Sequence, residues 1–182
     1  MKVSKLALTF LAILISAGSF AQSVSNADVK SQAVKDWERA KAYTKEYLDA
    51  MPEKGVKFKP TPEVRSFAEQ MLHLAQANVL FAATGTGEKP IFADKNLEKS
   101  EELKTKEALL KTVMDSYDFV INSIKKMDEA KLADKVTNEM FKLTTTQQDW
   151  LAKGFEHQTH HRGQCTVYLR LMGVTPPQEK LF

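Results

Sequence analysis

Apolar residues recur every third or fourth position over four stretches of the chain, and the polar stretches between them hold most of the glycines and prolines. Val34, Trp37, Ala40, Tyr43, Tyr47 and Leu48 share one helical face, which predicts a first helix over residues 26–51. It stops at PEKGVKFKPTP, where Pro52, Gly55, Pro60 and Pro62 interrupt the pattern and the lysines prefer water. Thr61, Pro62 and Glu63 read as a cap, a first-turn proline and a first-turn acid, so a second helix is expected over 62–84. That helix is apolar nearly all round, with Phe67, Met71, Leu74 and Phe81 on one side and Leu72 and Val79 on another, as a central helix would be. Gly85, Gly87 and Pro90 end it and open a long connection.

Leu103, Leu110, Val113, Met114, Tyr117, Val120, Ile121 and Ile124 form the next stripe, predicting a third helix over 100–127. Residues 128–143 are mixed, with room for a short irregular or extended piece over 136–143. Thr144, Thr145 and Thr146, followed by Gln148 and Asp149, read as the start of a fourth helix with a capping box. Gly173 should end it, with Pro176 and Pro177 beyond. Four long helices with no convincing strand and no repeat predict an all-α fold, a four-helix bundle whose long second connection leaves room for a crossover.

Ahead of the first helix, Lys2 and Lys5 precede an apolar run from Leu6 to Ile15 and then Ser19 and Ala21, small residues at signal-peptidase spacing. Residues 1–21 therefore read as a cleavable signal peptide and 22–182 as one bundle domain, exported to the periplasm or secreted. The apolar run is about half the length that spans a bilayer, so no stable membrane anchor is expected after cleavage. Two of the 26 basic residues leave with the leader, so 24 basic face 23 acidic residues, a balance that argues against a nucleic-acid partner. Cys165 is the single cysteine, so no intramolecular disulfide forms, and it is expected to fill the core. The glycines of GTGEKP lack P-loop spacing and no strand precedes them, so they serve as helix stops.

Candidate chemistry lies in the histidines. Three of the four stand in FEHQTHHRGQC, and His157 and His161, four apart, fall on one face of the fourth helix. At 100 degrees per residue they share an arc of about 80 degrees with Trp150, Cys165, Tyr168 and Met172, whereas His160 points away. Two imidazoles entering a core bring donors and acceptors that must find partners, and a divalent ion takes one nitrogen from each. His73, in QMLHLAQANVLF, is the remaining histidine, and an all-round apolar helix gives it no defined direction.

The segments EHQTHHRGQCTVYLRLMGVTPP and RSFAEQMLHLA resemble the DinB/YfiT-like superfamily, and the likeness runs over essentially the whole mature chain. The resemblance implies a four-helix bundle with a long crossover, a homodimer, and one divalent metal ion, zinc or nickel, held by His73, His157 and His161. Some members resemble thiol-dependent transferases that use cytoplasmic thiols, from which an exported chain departs. The expected function is a metal-dependent hydrolase or transferase acting on a small molecule, with a non-catalytic metal- or ligand-binding or dimerisation bundle as the alternative. Around the site, Cys165 and Tyr168 are expected as packing residues before ligand or proton donor, Glu156 as a surface acid, and Arg162 and Gln164 as supporting groups.

Overall fold

A computed structural model describes residues 24–182; the leader expected over residues 1–21 lies outside the described residues. The helices are α1 (Asn26–Ala50), α2 (Phe67–Thr86), α3 (Lys106–Lys126) and α4 (Gln147–Leu171), with a hairpin of β1 (Lys135–Asn138) and β2 (Leu143–Thr146) ahead of α4.

Each helix starts where a side chain satisfies its free amides. Ser25 with Asp28, and Ser66 with Glu69, form reciprocal capping boxes on α1 and α2. This corrects the expected start of the second helix at Pro62. Ser66 and Glu69 satisfy two donors at once, and the Phe67 and Ala68 amides donate to the carbonyls of Phe58 and Val56, so the proline segment packs as a loop across the helix end. Likewise, α3 starts after Thr105 and not at Ser100, because residues 97–103 are taken up by two short 3-10 turns. On α4 the Thr146 hydroxyl accepts from the Asp149 amide, but the Asp149 carboxylate turns to the Thr145 hydroxyl at 2.5 Å. The cap is therefore one-sided, not the expected box. Gly87, at φ 75°, ends α2 in the left-handed conformation that glycine adopts without strain.

The mixed segment before α4 is more regular than its composition indicates. Antiparallel pairing sets Val136 opposite Thr145 and Thr137 opposite Thr144, and the Trp150 indole N–H donates to the Val136 carbonyl at 3.0 Å, fastening the hairpin to α4.

Side-chain partners define the directions of the helices. Lys30 donates to the Met127 carbonyl and Lys106 to the carbonyls of Asp49 and Met51, so α1 and α3 are antiparallel. Lys104 binds Glu69 while Asn78 donates to Ser116, so α2 and α3 are parallel. Gly85 lies against Gln147 and Trp150, and Tyr168 donates to the Arg65 carbonyl, so α2 and α4 are antiparallel. The order is up, down, down, up. Because α2 and α3 run the same way side by side, residues 87–105 must return along the whole length of α2. Leu97, fully buried, anchors this return, and Gln76 of α2 accepts from the Leu97 amide and donates to the Lys95 carbonyl, both at 3.0 Å.

The core is a single apolar cluster that includes Trp37, Phe67, Met71, Leu72, Tyr117, Ile124 and Leu169. Within it runs a buried polar line of Thr44, Tyr117, Gln158 and Arg162.

Candidate metal centre

The antiparallel contact of α2 and α4 is close because two glycines stand in it. A Cβ on Gly154 would lie 2.9 Å from Phe81 Cβ, which the approach does not admit without a shift, and one on Gly85 would lie 3.1 Å from the Gln147 carbonyl oxygen, a tight contact. Above that contact, His73 of α2 meets His157 and His161 of α4. Ring centroids are 5.1 Å apart for His73 and His157, 4.6 Å for His73 and His161, and 4.3 Å for the pair on α4. One ring nitrogen from each of the three lies within 4.8 Å of the others. The Phe81 ring, 5.6 Å from His157, closes the cluster toward the hairpin end.

Burial, reinforced by the neighbouring imidazoles, lowers His157 to about 4 and His161 to about 3. Both rings are therefore neutral near pH 7, the form that offers a lone pair to a metal. Their Nδ1 atoms are buried and have no hydrogen-bond partner among the described residues. Buried imidazoles serving only as packing would have found such partners, so the donor set fits a divalent ion.

His73 is held from outside. Its Nδ1 lies 2.6 Å from Glu98 Oε1, and because a carboxylate only accepts, Nδ1 carries the proton and Nε2 keeps its lone pair. Arg65 donates through Nε to Glu98 Oε2 at 2.6 Å. Burial pushes the Glu98 carboxyl up, but the bonds from Arg65 and His73 outweigh it and hold the group below its ordinary value. A carboxylate behind a ligating histidine fixes its tautomer and ring plane and raises its basicity.

The sequence reading missed Glu98. It stands 25 positions after His73 in a segment read as a plain connection, and only the return along α2 brings the two together. The one local hint is Leu97, a lone leucine in a charged stretch immediately before it. Arg65 was also not singled out; its Nη2 lies 3.3 Å from His73 Nδ1, and the residue lines a groove of about 760 Å³ with Glu98, Gln70, Gln164, Val167 and Tyr168.

The other flagged residues fall outside the cluster. Cys165 is fully buried, which pushes its thiol far above the usual range and leaves it as core filler. Tyr168 packs against Phe58 and Phe67, and its hydroxyl donates to the Arg65 carbonyl at 2.6 Å. His160 is exposed and lies against Gln164, with their Nε2 atoms 2.7 Å apart, and Glu156 is a surface acid. Arg162 points to the opposite side of α4, toward α1.

Fold and cluster together define a four-helix-bundle protein with a candidate mononuclear metal centre shared by two antiparallel helices. The DinB family profile matches residues 23–181, and the chain belongs to that family. No curated protein matches it at a significant level. Among solved structures it is similar to a DinB-like protein from Bacillus cereus ATCC 10987, with 18% identity, a TM-score of 0.69, and coverage of 81% of this chain and 95% of that one. YjoA, a DinB-like protein from Bacillus subtilis, aligns at 20% identity and TM-score 0.64 over 83% of this chain and 96% of its own. YfiT from Bacillus subtilis, described as a probable metal-dependent hydrolase with an unusual four-helix bundle topology, aligns at 17% and 0.62 over 84% and 91%. At these identities the likeness establishes the fold.

Proposed function

We propose that this DinB-family protein binds one divalent metal ion, zinc or nickel, through His73, His157 and His161, and works as a metal-dependent hydrolase or transferase on a small molecule. The observation that carries this reading is the meeting of three imidazoles from two helices, two of them with buried Nδ1 atoms that nothing else satisfies. A divalent ion bound there supplies Lewis acidity, which acidifies water and polarises carbonyl or phosphoryl groups. The chain's residues do the rest. His157 and His161 stay neutral, Glu98 keeps the His73 proton on Nδ1, and Arg65, which lines the groove, supplies the positive charge for an anionic group of a substrate. The description of YfiT as a probable metal-dependent hydrolase is in line with this reading.

One observation favours a second reading, metal binding without turnover. Glu98 is the carboxylate beside the triad, and both its oxygens are engaged, by His73 and Arg65, so it is not free to act as a general base. Turnover of model esters and phosphoesters by the loaded protein, lost on chelation and restored by zinc or nickel, separates the two readings.

Metal analysis tests the site itself. Protein produced from residue 22 onward should hold about one divalent ion per chain, and a His157→Ala, His161→Ala double variant less than about a tenth of that. Equal metal in both would sink the assignment. Export and homodimerisation belong to the same proposal. They rest on the leader pattern and the family resemblance, and are checked by a mature N-terminus at Gln22 and by light scattering at twice the chain mass.

A further inference from the structure

On the side of α4 away from the histidines, Arg162 is 7% exposed and forms no ion pair among the described residues. Its Nη1 donates to Gln158 Oε1 at 2.8 Å and to Thr44 Oγ1 at 3.4 Å, and the guanidinium lies 4.5 Å over the Tyr43 ring. All of these partners are neutral. Among the described residues only Nη1 is seen to donate, and the residue lines a cavity of about 500 Å³ between α1, α4 and the C-terminal tail. A buried guanidinium normally has a carboxylate or phosphate opposite its fork. Here no carboxylate pairs with Arg162 among the described residues, and the walls of the cavity supply further donors. The hydroxyls of Tyr47 and Thr166, 2.8 Å apart, and the side chain of Arg170 line the same cavity, with Pro176 and Pro177 as apolar walls.

The tail is tied in place and carries an acid to the rim. Arg39 donates to the Lys180 carbonyl at 2.7 Å and Lys180 pairs with Glu46, so the tail lies along α1 with Glu179 at the cavity. Glu179 is exposed and pairs with no cation among the described residues.

We propose that this cavity is an oxyanion site, separate from the metal centre, that takes the carboxylate or phosphate group of a small molecule on the free edge of Arg162. Arg170 adds to the attraction and Glu179 opposes it from the rim. The volume is within the range of small-molecule sites. Arg162 faces Thr44 and Tyr43 of α1 whereas His157 and His161 face His73 of α2, so the cavity and the triad lie on different sides of α4.

Titration of the purified protein with inorganic phosphate, acetate and benzoate, followed through the Arg162 Nε–H and Thr166 amide resonances, tests the proposal. Saturable shifts in the millimolar range are expected. A stronger response to phosphate than to the two carboxylates identifies a phosphate site, and the reverse order a carboxylate site. Arg162→Gln should weaken binding about tenfold or more. Arg170→Gln should weaken it about two- to fivefold and Glu179→Gln tighten it by a similar factor. The His157→Ala, His161→Ala variant should bind the anion as before. Absence of saturation by about 50 mM of every probe overturns the proposal, as does equal affinity in a folded Arg162→Gln variant. If Arg162→Gln does not fold, the surface variants decide: opposite shifts for Arg170→Gln and Glu179→Gln uphold the site, and unchanged binding in both refutes it.

Discussion

At the scale of single residues, the proposed metal centre would depend on what stands behind the three histidines as much as on the histidines. Glu98 determines which nitrogen of His73 is free, and Arg65 keeps Glu98 ionised. Glu98→Gln should therefore weaken metal binding by about 10–100-fold without abolishing it, measured by competition with a chromogenic chelator. The two histidines of α4 also tie stability to pH. Their unfolded value is about 6.5, and in the fold His157 is lowered to about 4 and His161 to about 3. Between those limits the unfolded chain binds more protons, so folding loses ground as pH falls. Their contribution is complete above about pH 6.5 and is lost as pH drops toward 3–4. In chelator, the midpoint of thermal unfolding should fall more steeply over that window for the wild type than for the His157→Ala, His161→Ala variant. Parallel curves would show that the imidazoles do not carry the effect. Cys165 illustrates how burial decides chemistry: one helical turn beyond His161, it is sealed in the core and takes no part in the ligand cluster.

At the scale of elements, the approach of α2 to α4 brings the triad together, and two glycines of α4 respond oppositely to a methyl group. Alanine at Gly154 gains up to about 1 kcal/mol of helix propensity. Its Cβ, however, would stand 2.9 Å from Phe81 Cβ, which sits on the main chain of α2 and cannot swing aside. Overpacking should win, so Gly154→Ala is expected to lose about 1–3 kcal/mol in urea unfolding and to bind metal less tightly as the helices part. Gly163 has nothing within 4 Å of an added Cβ. Gly163→Ala should therefore gain about 0.5–1 kcal/mol and leave the metal content unchanged. The helix starts depart from the sequence pattern for local reasons. Thr61, Pro62 and Glu63 are a valid start signal, but Ser66 with Glu69 is another, and the docking of Val56 and Phe58 onto the first amides of α2 selects the later one. The start of α3 was placed too early because Leu103 continues the apolar stripe of that helix while belonging to a 3-10 turn.

At the scale of the molecule, an ion at the triad would join residues 84 or more positions apart in the chain and pin α2 to α4, so metal binding and folding are linked. With free zinc at about a hundredfold excess over its dissociation constant, stability should rise by about 2.7 kcal/mol. For a domain of this size that raises the unfolding midpoint by about 5–10 °C, reversed by chelation. A midpoint indifferent to zinc would mean that the ion does not prefer the folded state. By itself the sequence determined four long helices, the inward phase of His157 and His161, and the outward phase of His160, because these follow from 3.6-residue periodicity and from side chains on one turn of one helix. It left His73 without a direction, since a helix apolar on every side has no face to read. Tertiary structure alone decided that His73 meets the pair on α4 and that residues 87–105 return along α2 to set Glu98 behind it. It also decided that Arg162 ends beside a cavity where, among the described residues, no acid pairs with it. Each of these joins groups from separate elements, and their positions come from how helices pack and which way each one runs, which local spacing does not encode.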